Sequence, residues 1–338
     1  MSVRVGVNGF GRIGRNFLRA AMHAGADIEL VAVNDLTSAD IHAQLLRYDS
    51  THGPLGVPVA VEESTLLVGD RRIAVLSERD PADLPWDDLG VSVVIEATGL
   101  FRSRALASVH LKGGASKVVI TAPSGDADAT IVMGVNDASF DPDLHQVVSN
   151  ASCTTNCFVP MVKVMEDAFG VVGGLMTTVH AYTNDQNLLD LPHKDPRRAR
   201  AAAVNIVPNA TGAAQATRLA LPEMAGRLSG AAFRVPVACG SITDFTVLVP
   251  GPVTVDEVNA AFEAAAASGP LSPVLEYTED PIVSSDIVGN PASCIFDATL
   301  TLVQPVGDQT LVKVNGWYDN EWGYSNRLVD LVLLVGGA

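Results

Sequence analysis

The stretch VRVGVNGFGRIG, residues 3–14, decides how the first part of the chain folds. Residues 3–8 are largely apolar and predict a buried strand, and the residues after the stretch continue with helical spacing. Gly9, Gly11 and Gly14 lie between strand and helix as G-x-G-x-x-G. The first glycine permits a tight turn, the second lets the backbone approach a pyrophosphate, and the third allows the helix to pack closely on the sheet. The stretch therefore predicts a phosphate-binding turn at a helix N-terminus.

A second predicted strand, IELVAVN at residues 28–34, is followed by Asp35. With the first strand and helix it has the length of a parallel β-α-β unit. The Asp35 carboxylate can accept a hydrogen bond from a ribose 2′-hydroxyl and repels a 2′-phosphate. The pattern predicts dinucleotide binding, with NAD favoured over NADP. The alternative interpretation is a glycine-rich turn followed by a structural aspartate.

Two different alternations of elements indicate two domains. Further strands are predicted at 91–99 and 117–121, with a helical stretch at 103–111 between them, which favours a doubly wound parallel sheet over roughly the first 150 residues. The second half has long runs rich in Val, Thr and aromatic residues with few crossovers, which favours a mixed or antiparallel sheet. The predicted fold class is α/β, with a Rossmann domain and a second α+β domain.

Composition excludes several classes of protein. The net charge of −16 disfavours nucleic acid and anionic membranes as partners. No run approaches the length of a membrane span, and the N-terminus lacks the pattern of a signal peptide. Four cysteines in 338 residues are too few for a disulfide scaffold, so we expect reduced thiols in a cytoplasm.

One cysteine has an unusual setting, in SNASCTTNC at residues 149–157. Cys153 is flanked by small polar residues, and Ser152 and Thr154 are typical of a helix start. A helix N-terminus and a nearby histidine lower a thiol pKa, so Cys153 is either a nucleophile or a buried structural thiol. The candidate base is His180, at the end of a predicted strand, although a structural histidine is the alternative there. Sequence spacing alone does not bring the two together.

Several strings follow one another in order along essentially the whole chain. They are NGFGRIG (8–14), SNASCTTNC (149–157), LPHKD (191–195), RRARAAA (197–203) and WYDNEWGYSNR (317–327). On these strings the chain resembles the phosphorylating glyceraldehyde-3-phosphate dehydrogenases of bacteria, and among them it is most similar to the actinobacterial members. The resemblance implies a glycolytic oxidoreductase that converts glyceraldehyde 3-phosphate, NAD and inorganic phosphate to 1,3-bisphosphoglycerate. It also implies a cytoplasmic homotetramer, in which a loop near 184–203 reaches the neighbouring subunit.

The resemblance also implies residue roles. Cys153 would form a hemithioacetal and then a thioester, and His180 would activate it. Residues 1–152 with about 317–338 would form the NAD-binding domain, and 153–316 the catalytic domain. The implied cofactor positions are Gly9, Gly11, Arg12, Ile13, Gly14, Asp35, Arg79, Thr121 and Asn320. The implied phosphate positions are Thr183, Arg198 and Arg234 for the substrate, and Ser152, Thr154, Thr211 and Gly212 for the attacking phosphate. No metal site is expected.

Three alternatives remain open at this point. Erythrose-4-phosphate dehydrogenase would use the same cysteine and end in hydrolysis, although the Thr211–Gly212 pair favours phosphate as the acceptor. An NAD-binding redox sensor would oxidise the cysteine instead of turning over a substrate. Phe158 and Val159 stand where the family has leucine and alanine, so an isozyme insensitive to cysteine-directed inhibitors is a further hypothesis.

Overall fold

The computed structural model describes residues 2–337, which divide into two compact units. The first unit runs to Ile131 and includes Ala138–Ala151 and the residues from Ser325 onwards. The second unit comprises Val132–Asp137 and Ser152–Tyr324. Each unit is built around a sheet of its own, so each is described separately.

Helices and strands alternate along the first unit. They are β1 (Val3–Asn8), α1 (Arg12–His23), β2 (Ile28–Asn34), α2 (Ala39–Arg47), β3 (Tyr48–Asp49), β4 (Gly53–Pro54), β5 (Val59–Glu62), β6 (Thr65–Val68), β7 (Arg71–Leu76), β8 (Val93–Glu96), α3 (Arg104–Ala107), α4 (Val109–Lys112), β9 (Lys117–Ile120), β10 (Ala129–Thr130) and β11 (Val147–Ser149). The strand predicted at residues 28–34 is confirmed as β2. The helical stretch predicted at 103–111 is two short helices, α3 and α4, which meet at Ser108.

The main sheet of the first unit has the order β10-β11-β9-β8-β1-β2-β7-β6-β5. Neighbouring strands from β10 to β7 are parallel, whereas β6 is antiparallel to both of its neighbours, β5 and β7. This confirms the predicted doubly wound parallel sheet and adds an antiparallel edge. The central strand β1 pairs with β8 and β2 and is largely buried, and α1 packs closely on it at Gly14.

The second unit contains longer strands and fewer crossovers. Its elements are α5 (Cys153–Phe169), β12 (Gly173–Ala181), β13 (Val207–Ala210), α6 (Ala213–Ala220), β14 (Leu228–Val235), β15 (Ser241–Pro250), α7 (Val255–Ala267), β16 (Leu275–Thr278), β17 (Cys294–Asp297), β18 (Leu302–Val306), β19 (Gln309–Tyr318) and α8 (Trp322–Gly336). The residues of α8 from Ser325 belong to the first unit, where Gly336 lies against Val3 and Val93.

The sheet of the second unit has the order β13-β14-β12-β15-β19-β17-β16, with β18 paired to β19. The β12–β14 and β16–β17 pairs are parallel, and the others are antiparallel. The predicted mixed sheet is therefore confirmed.

Helix α5 packs against β15, β17 and β19, which fixes the position of its first residue, Cys153. Phe158 packs edge-to-face on Phe245 with ring centroids 4.9 Å apart. Pro160 lies inside the helix, where it removes one main-chain hydrogen bond, and its side chain is buried in the same interface. Apolar burial along α5 thus anchors the helix while its N-terminal end stays partly exposed.

The helices are short compared with the thickness of a bilayer. The longest two described, α5 and α8, have 17 and 15 residues. Within residues 2–337, no helix combines the length and the apolar character needed to cross a membrane.

Candidate active site

The candidate nucleophile, Cys153, is the first residue of α5. Ser152 precedes it with an extended backbone, and the Ser152 hydroxyl accepts a hydrogen bond from the Thr155 N–H at 3.0 Å. Serine favours this position because its oxygen satisfies an N–H group of the first helical turn. The local sequence therefore places the Cys153 thiol at a helix N-terminus, where the partial charge of the helix is positive.

His180, the second-to-last residue of β12, faces this thiol. Its Nε2 lies 3.4 Å from the Cys153 sulfur. Its Nδ1 lies 2.7 Å from the carbonyl oxygen of Ala181, which can only accept, and also contacts Arg234 Nη1, which can only donate, so the two contacts favour opposite tautomers. In the tautomer whose Nδ1–H donates to Ala181, Nε2 carries a lone pair and can accept the thiol proton. The chain folds so that a helix start and a strand end meet, which spacing alone did not predict.

Arg234 lies beside His180 because β14 pairs with β12 in parallel register, with these two residues opposite each other. Its Nη1 donates a hydrogen bond to the Ala181 carbonyl at 2.9 Å and also contacts the His180 Nδ1. A guanidinium is charged at all ordinary pH values, so it opposes a second positive charge on the imidazole.

The surroundings of the two reactive groups favour the neutral form of both. Burial, followed by the charge of Arg234, lowers the pKa of His180 to about 3. Burial raises the pKa of the Cys153 thiol above its ordinary value, although Arg234 opposes that rise. The expectation that a helix N-terminus and a histidine would lower this thiol pKa is therefore wrong. Desolvation outweighs the lowering by Arg234 and by the hydrogen bonds from Cys153 and Thr154 at the helix start, and a neutral imidazole has no charge with which to stabilise a thiolate.

Tyr318, at the end of β19, is a site residue that sequence reasoning missed. Its hydroxyl lies 2.8 Å from the hydroxyls of both Thr154 and Thr178. Its ring packs edge-on against His180 with centroids 5.9 Å apart. The signal was present, since Tyr318 lies inside the WYDNEW string, but the string gave no reason to choose the tyrosine. Tyr318 ties the start of α5 to β12 and supports the imidazole from the side.

The hydroxyls expected to bind the attacking phosphate also have structural partners. The Ser152 hydroxyl lies 2.7 Å from the Thr155 hydroxyl, in addition to its capping bond. Thr154 is buried with its hydroxyl on Tyr318. The Thr211 hydroxyl accepts from the Ala213 N–H at 3.2 Å at the start of α6, which packs against α5. Gly212 is exposed there, with open space where a Cβ would be.

The positions expected to bind the substrate phosphate lie in separate segments. Arg234 is on β14, whereas Thr183 and Arg198 belong to the loop that follows β12. The Thr183 N–H donates to the Gln186 side chain at 3.4 Å. Arg198 is half-buried and donates to Asn209 at 3.2 Å and to Asp185. Because acidic groups of its own loop share its charge, Arg198 is a less open cationic site than the basic sequence suggested.

A cleft of about 320 Å³ lies in the first unit, where β1, β2 and β8 end. Gly9 has φ +96°, and a Cβ there would lie 2.6 Å from the Thr98 nitrogen. A Cβ on Gly14 would lie 2.6 Å from the Gly9 carbonyl oxygen. A Cβ on Gly11 would meet no atom within 4 Å, so this glycine leaves bare backbone facing open space in the cleft. Gly9 and Gly14 are required by the fold itself, because a side chain there would clash with the protein's own backbone. Gly11 is not required by the fold, and its exposed backbone fits the close approach of an NAD pyrophosphate.

Asp35 lines the same cleft at the end of β2. Its Oδ2 accepts from the Phe10 N–H at 3.0 Å and its Oδ1 from the Thr37 N–H at 3.1 Å. Arg79 also lines the cleft and is exposed. An oriented carboxylate beside an exposed cation fits an adenine-ribose pocket.

Other expected cofactor positions lie in the surrounding structure. Arg12 forms a two-point ion pair with Asp49, at 2.5 and 3.3 Å. Burial alone would raise the pKa of Asp49, but main-chain N–H donors and Arg12 lower it to about 2. Ile13 is half-buried in the first turn of α1, and the Thr121 hydroxyl donates to the Glu96 carbonyl at 3.0 Å. These three side chains shape the walls near the glycine turn more than they offer free polar groups.

Asn320 lies in the second unit, in the turn that begins α8. Its side-chain oxygen accepts from the Gly240 N–H at 3.2 Å and the Ser241 hydroxyl at 3.0 Å, which leaves its NH₂ group to donate. The neighbouring Asp319 accepts from the Cys239 thiol at 3.0 Å. Cys239, expected to be a packing residue, therefore helps to hold this turn. Burial and the nearby Asp319 charge raise its thiol pKa, so it stays protonated.

Comparison with known proteins covers nearly the whole chain. The model of the glyceraldehyde 3-phosphate dehydrogenase NAD binding domain matches residues 3–104, and that of the C-terminal domain of the same family matches residues 152–320. A glyceraldehyde-3-phosphate dehydrogenase from Streptomyces coelicolor is 60% identical over 336 residues, 99% of either chain. Glyceraldehyde-3-phosphate dehydrogenase 2 from Streptomyces avermitilis is 59% identical over the same length, again 99% of either chain. A glyceraldehyde-3-phosphate dehydrogenase from Mycobacterium bovis is 57% identical over 342 aligned positions, 99% of either chain.

Proposed function

The chain belongs to the glyceraldehyde-3-phosphate dehydrogenase family, and on that premise we propose that it oxidises glyceraldehyde 3-phosphate with NAD and inorganic phosphate to 1,3-bisphosphoglycerate. The observation that carries the proposal is the 3.4 Å contact between the Cys153 sulfur and His180 Nε2. A thiol at a helix start, with an imidazole lone pair directed at it, suits covalent catalysis on an aldehyde.

The first step forms a bond between the Cys153 sulfur and the aldehyde carbon. As it forms, His180 Nε2 takes the thiol proton and then supplies it to the former carbonyl oxygen, which gives a hemithioacetal. The cleft lined by Gly9, Gly11 and Asp35 would hold NAD, which would supply the hydride acceptor for that carbon. The product is a thioester on Cys153, and the hydroxyl proton returns to His180. A phosphate oxygen then attacks the thioester carbon, and the leaving sulfur recovers its proton from His180.

The positive charge of Arg234 makes His180 a weak base until an anion binds Arg234 and offsets that charge. We propose that Thr183, Arg198 and Arg234 bind the phosphate of the substrate, since a guanidinium matches phosphate oxygens in a two-point geometry. An anion on Arg234 offsets the charge that opposes protonation of His180. We assign Ser152, Thr154, Thr211 and Gly212 to the attacking phosphate, with Arg12, Ile13, Thr121 and Asn320 completing the NAD site around Gly9, Gly11, Gly14, Asp35 and Arg79.

The test is NADH formation by the purified chain and by Cys153→Ser. Serine at this position should lower turnover by several orders of magnitude, because a hydroxyl is much less acidic than a thiol and a weaker nucleophile, so His180 removes its proton far less readily. Cys157→Ala, in the same helix, is the matched control, since that thiol is fully buried and burial raises its pKa. Ordinary turnover by Cys153→Ser would contradict the mechanism.

The same assay separates the proposal from its enzymatic alternative. Without inorganic phosphate, the phosphorylating reaction should stop at the thioester, so the steady-state rate should collapse. A rate on erythrose 4-phosphate that does not depend on phosphate would favour erythrose-4-phosphate dehydrogenase instead. An isozyme insensitive to inhibitors also remains a hypothesis, since Phe158 fills the core against Phe245 behind the nucleophile. Inactivation by an epoxide at the same rate as an ordinary family member would remove it.

The cellular setting and assembly are further proposals. We propose a cytoplasmic homotetramer in which the loop near 184–203 contacts a neighbouring subunit. That loop exposes Leu188, Leu189 and Leu191. Exposed apolar side chains that are close together along the chain are typical of a surface that contacts another protein. We also propose that residues 1–152 with about 317–338 bind NAD, and that 153–316 carry out catalysis. Sedimentation of the intact chain would test the tetramer directly.

A further inference from the structure

His42 is a buried histidine on α2 whose ring has no hydrogen-bond partner within residues 2–337. Its exposed fraction is 2%, and both ring nitrogens lack a donor or acceptor at bonding distance. A buried polar group without a partner is costly, and such groups in native proteins call for an explanation.

The unpartnered ring lies beside Asp35, which lines the dinucleotide cleft. The Nε2 of His42 lies 3.8 Å from Oδ1 of Asp35, just beyond hydrogen-bonding distance. Phe10 packs edge-on against the ring with centroids 5.5 Å apart, and its N–H donates to the other oxygen of Asp35. The carboxylate therefore accepts from a main-chain N–H on each oxygen, and the unused imidazole faces Oδ1, beside the Thr37 N–H, as a further donor.

The charges around His42 favour the neutral ring. Burial lowers its pKa, Asp35 opposes this, and Arg15 lowers it further. A neutral imidazole has one N–H, and the free tautomer allows that hydrogen to be on Nε2, facing Asp35. The ring can thus act as a donor without bringing a charge into the pocket.

We propose that His42 is a positioning residue that sets dinucleotide preference, by closing the gap to Asp35 and holding its carboxylate toward the adenine-ribose hydroxyls. This inference rests on the proposed NAD site at Asp35. A carboxylate fixed in this direction accepts from a ribose 2′-hydroxyl and repels a 2′-phosphate. Without His42, Oδ1 of Asp35 would be held by the Thr37 N–H alone, and the weaker hold on its direction would weaken discrimination against NADP.

The experiment compares His42→Phe, which keeps a ring but removes the donor, with His42→Gln, which keeps a donor. The readout is the ratio of kcat/KM for NAD to that for NADP, measured with saturating aldehyde and phosphate. We expect His42→Phe to lower this ratio about fivefold to tenfold through the KM for NAD, and His42→Gln to retain most of it. In an Asp35→Asn background, His42→Phe should change the ratio little, because the partner through which it acts is gone.

Two outcomes would overturn the inference. One is a folded His42→Phe variant, judged by thermal unfolding, whose ratio stays within about twofold of the parent. The other is an equal drop in the Asp35→Asn background. Calorimetric measurement of NAD and NADP binding, without any substrate, separates this inference from the proposed reaction. Selectivity that depends on His42 in a chain that fails to oxidise the aldehyde would keep this inference and overturn the proposed function.

Discussion

His110 in the first unit and His180 in the second are both buried histidines, and their neighbours give them opposite character. His110 accepts from the Trp86 N–H at 3.1 Å on Nδ1 and faces Glu96 at 3.1 Å on Nε2. Tryptophan can only donate, so the ring proton is on Nε2 and is directed at a carboxylate. His180 faces a cation and a thiol instead. Burial is common to both, so the partners decide which histidine can accept a proton during a reaction.

The contrast separates a structural network from a reactive pair. Glu96 also accepts from Asn8 at 2.7 Å and from the Thr98 N–H at 2.8 Å, so every side of the first network is satisfied. At His180, one ring nitrogen is held by Ala181 and the other meets a sulfur that has its own proton. A satisfied network rigidifies the carboxyl ends of β1 and β8, whereas a lone pair directed at a thiol is available for chemistry.

The largest expected effect is on turnover. His180→Asn should lower kcat/KM by about 10³-fold, since it removes the general base, whereas His110→Asn should leave kcat/KM within about tenfold of the parent. Steady-state NADH formation measures both. If the two variants lost activity equally, with both still folded by circular dichroism, the distinction between a structural and a reactive histidine would fail.

The second effect is on stability at acid pH. The pKa of His180 is about 3 in the folded chain against an ordinary 6.5, so the unfolded chain binds the extra proton between these values. Its contribution to the free energy of unfolding is therefore constant above about pH 6.5 and falls as the pH drops toward about 3, by up to roughly 5 kcal/mol. His180→Gln should lose less stability than the parent when urea unfolding is repeated across this window. If the free energy of unfolding fell equally with pH in the two chains, the lowered pKa assigned to His180 would be wrong.

Local signals in the sequence were sufficient for much of this molecule. The β1–α1–β2 unit followed from apolar runs and from glycines that a tight turn requires, and the start of α5 at Cys153 followed from a capping serine. Such signals act within a few residues of one another.

What the sequence did not reveal depends on pairing between distant segments. Arg234 faces His180 only because β14 pairs with β12 in one register, and Tyr318 reaches Thr154 from the other end of the unit. The thiol pKa was predicted in the wrong direction because burial is a property of the folded chain, whereas a helix start can be read locally.

The smallest expected effect is on stability at neutral pH, and it tests the structural histidine, His110. His110→Phe should lower the free energy of unfolding by about 2 kcal/mol, because Trp86 loses its acceptor and Glu96 loses a donor while both remain buried. Urea unfolding measures this, and Glu96→Gln with the double variant completes a cycle. If His110 acts through Glu96, the two changes should cost less together than the sum of their separate costs, since both remove the same interaction. Strict additivity would show instead that packing against Trp86 holds the ring. His110 would then not be an example of a histidine fixed by its hydrogen bonds.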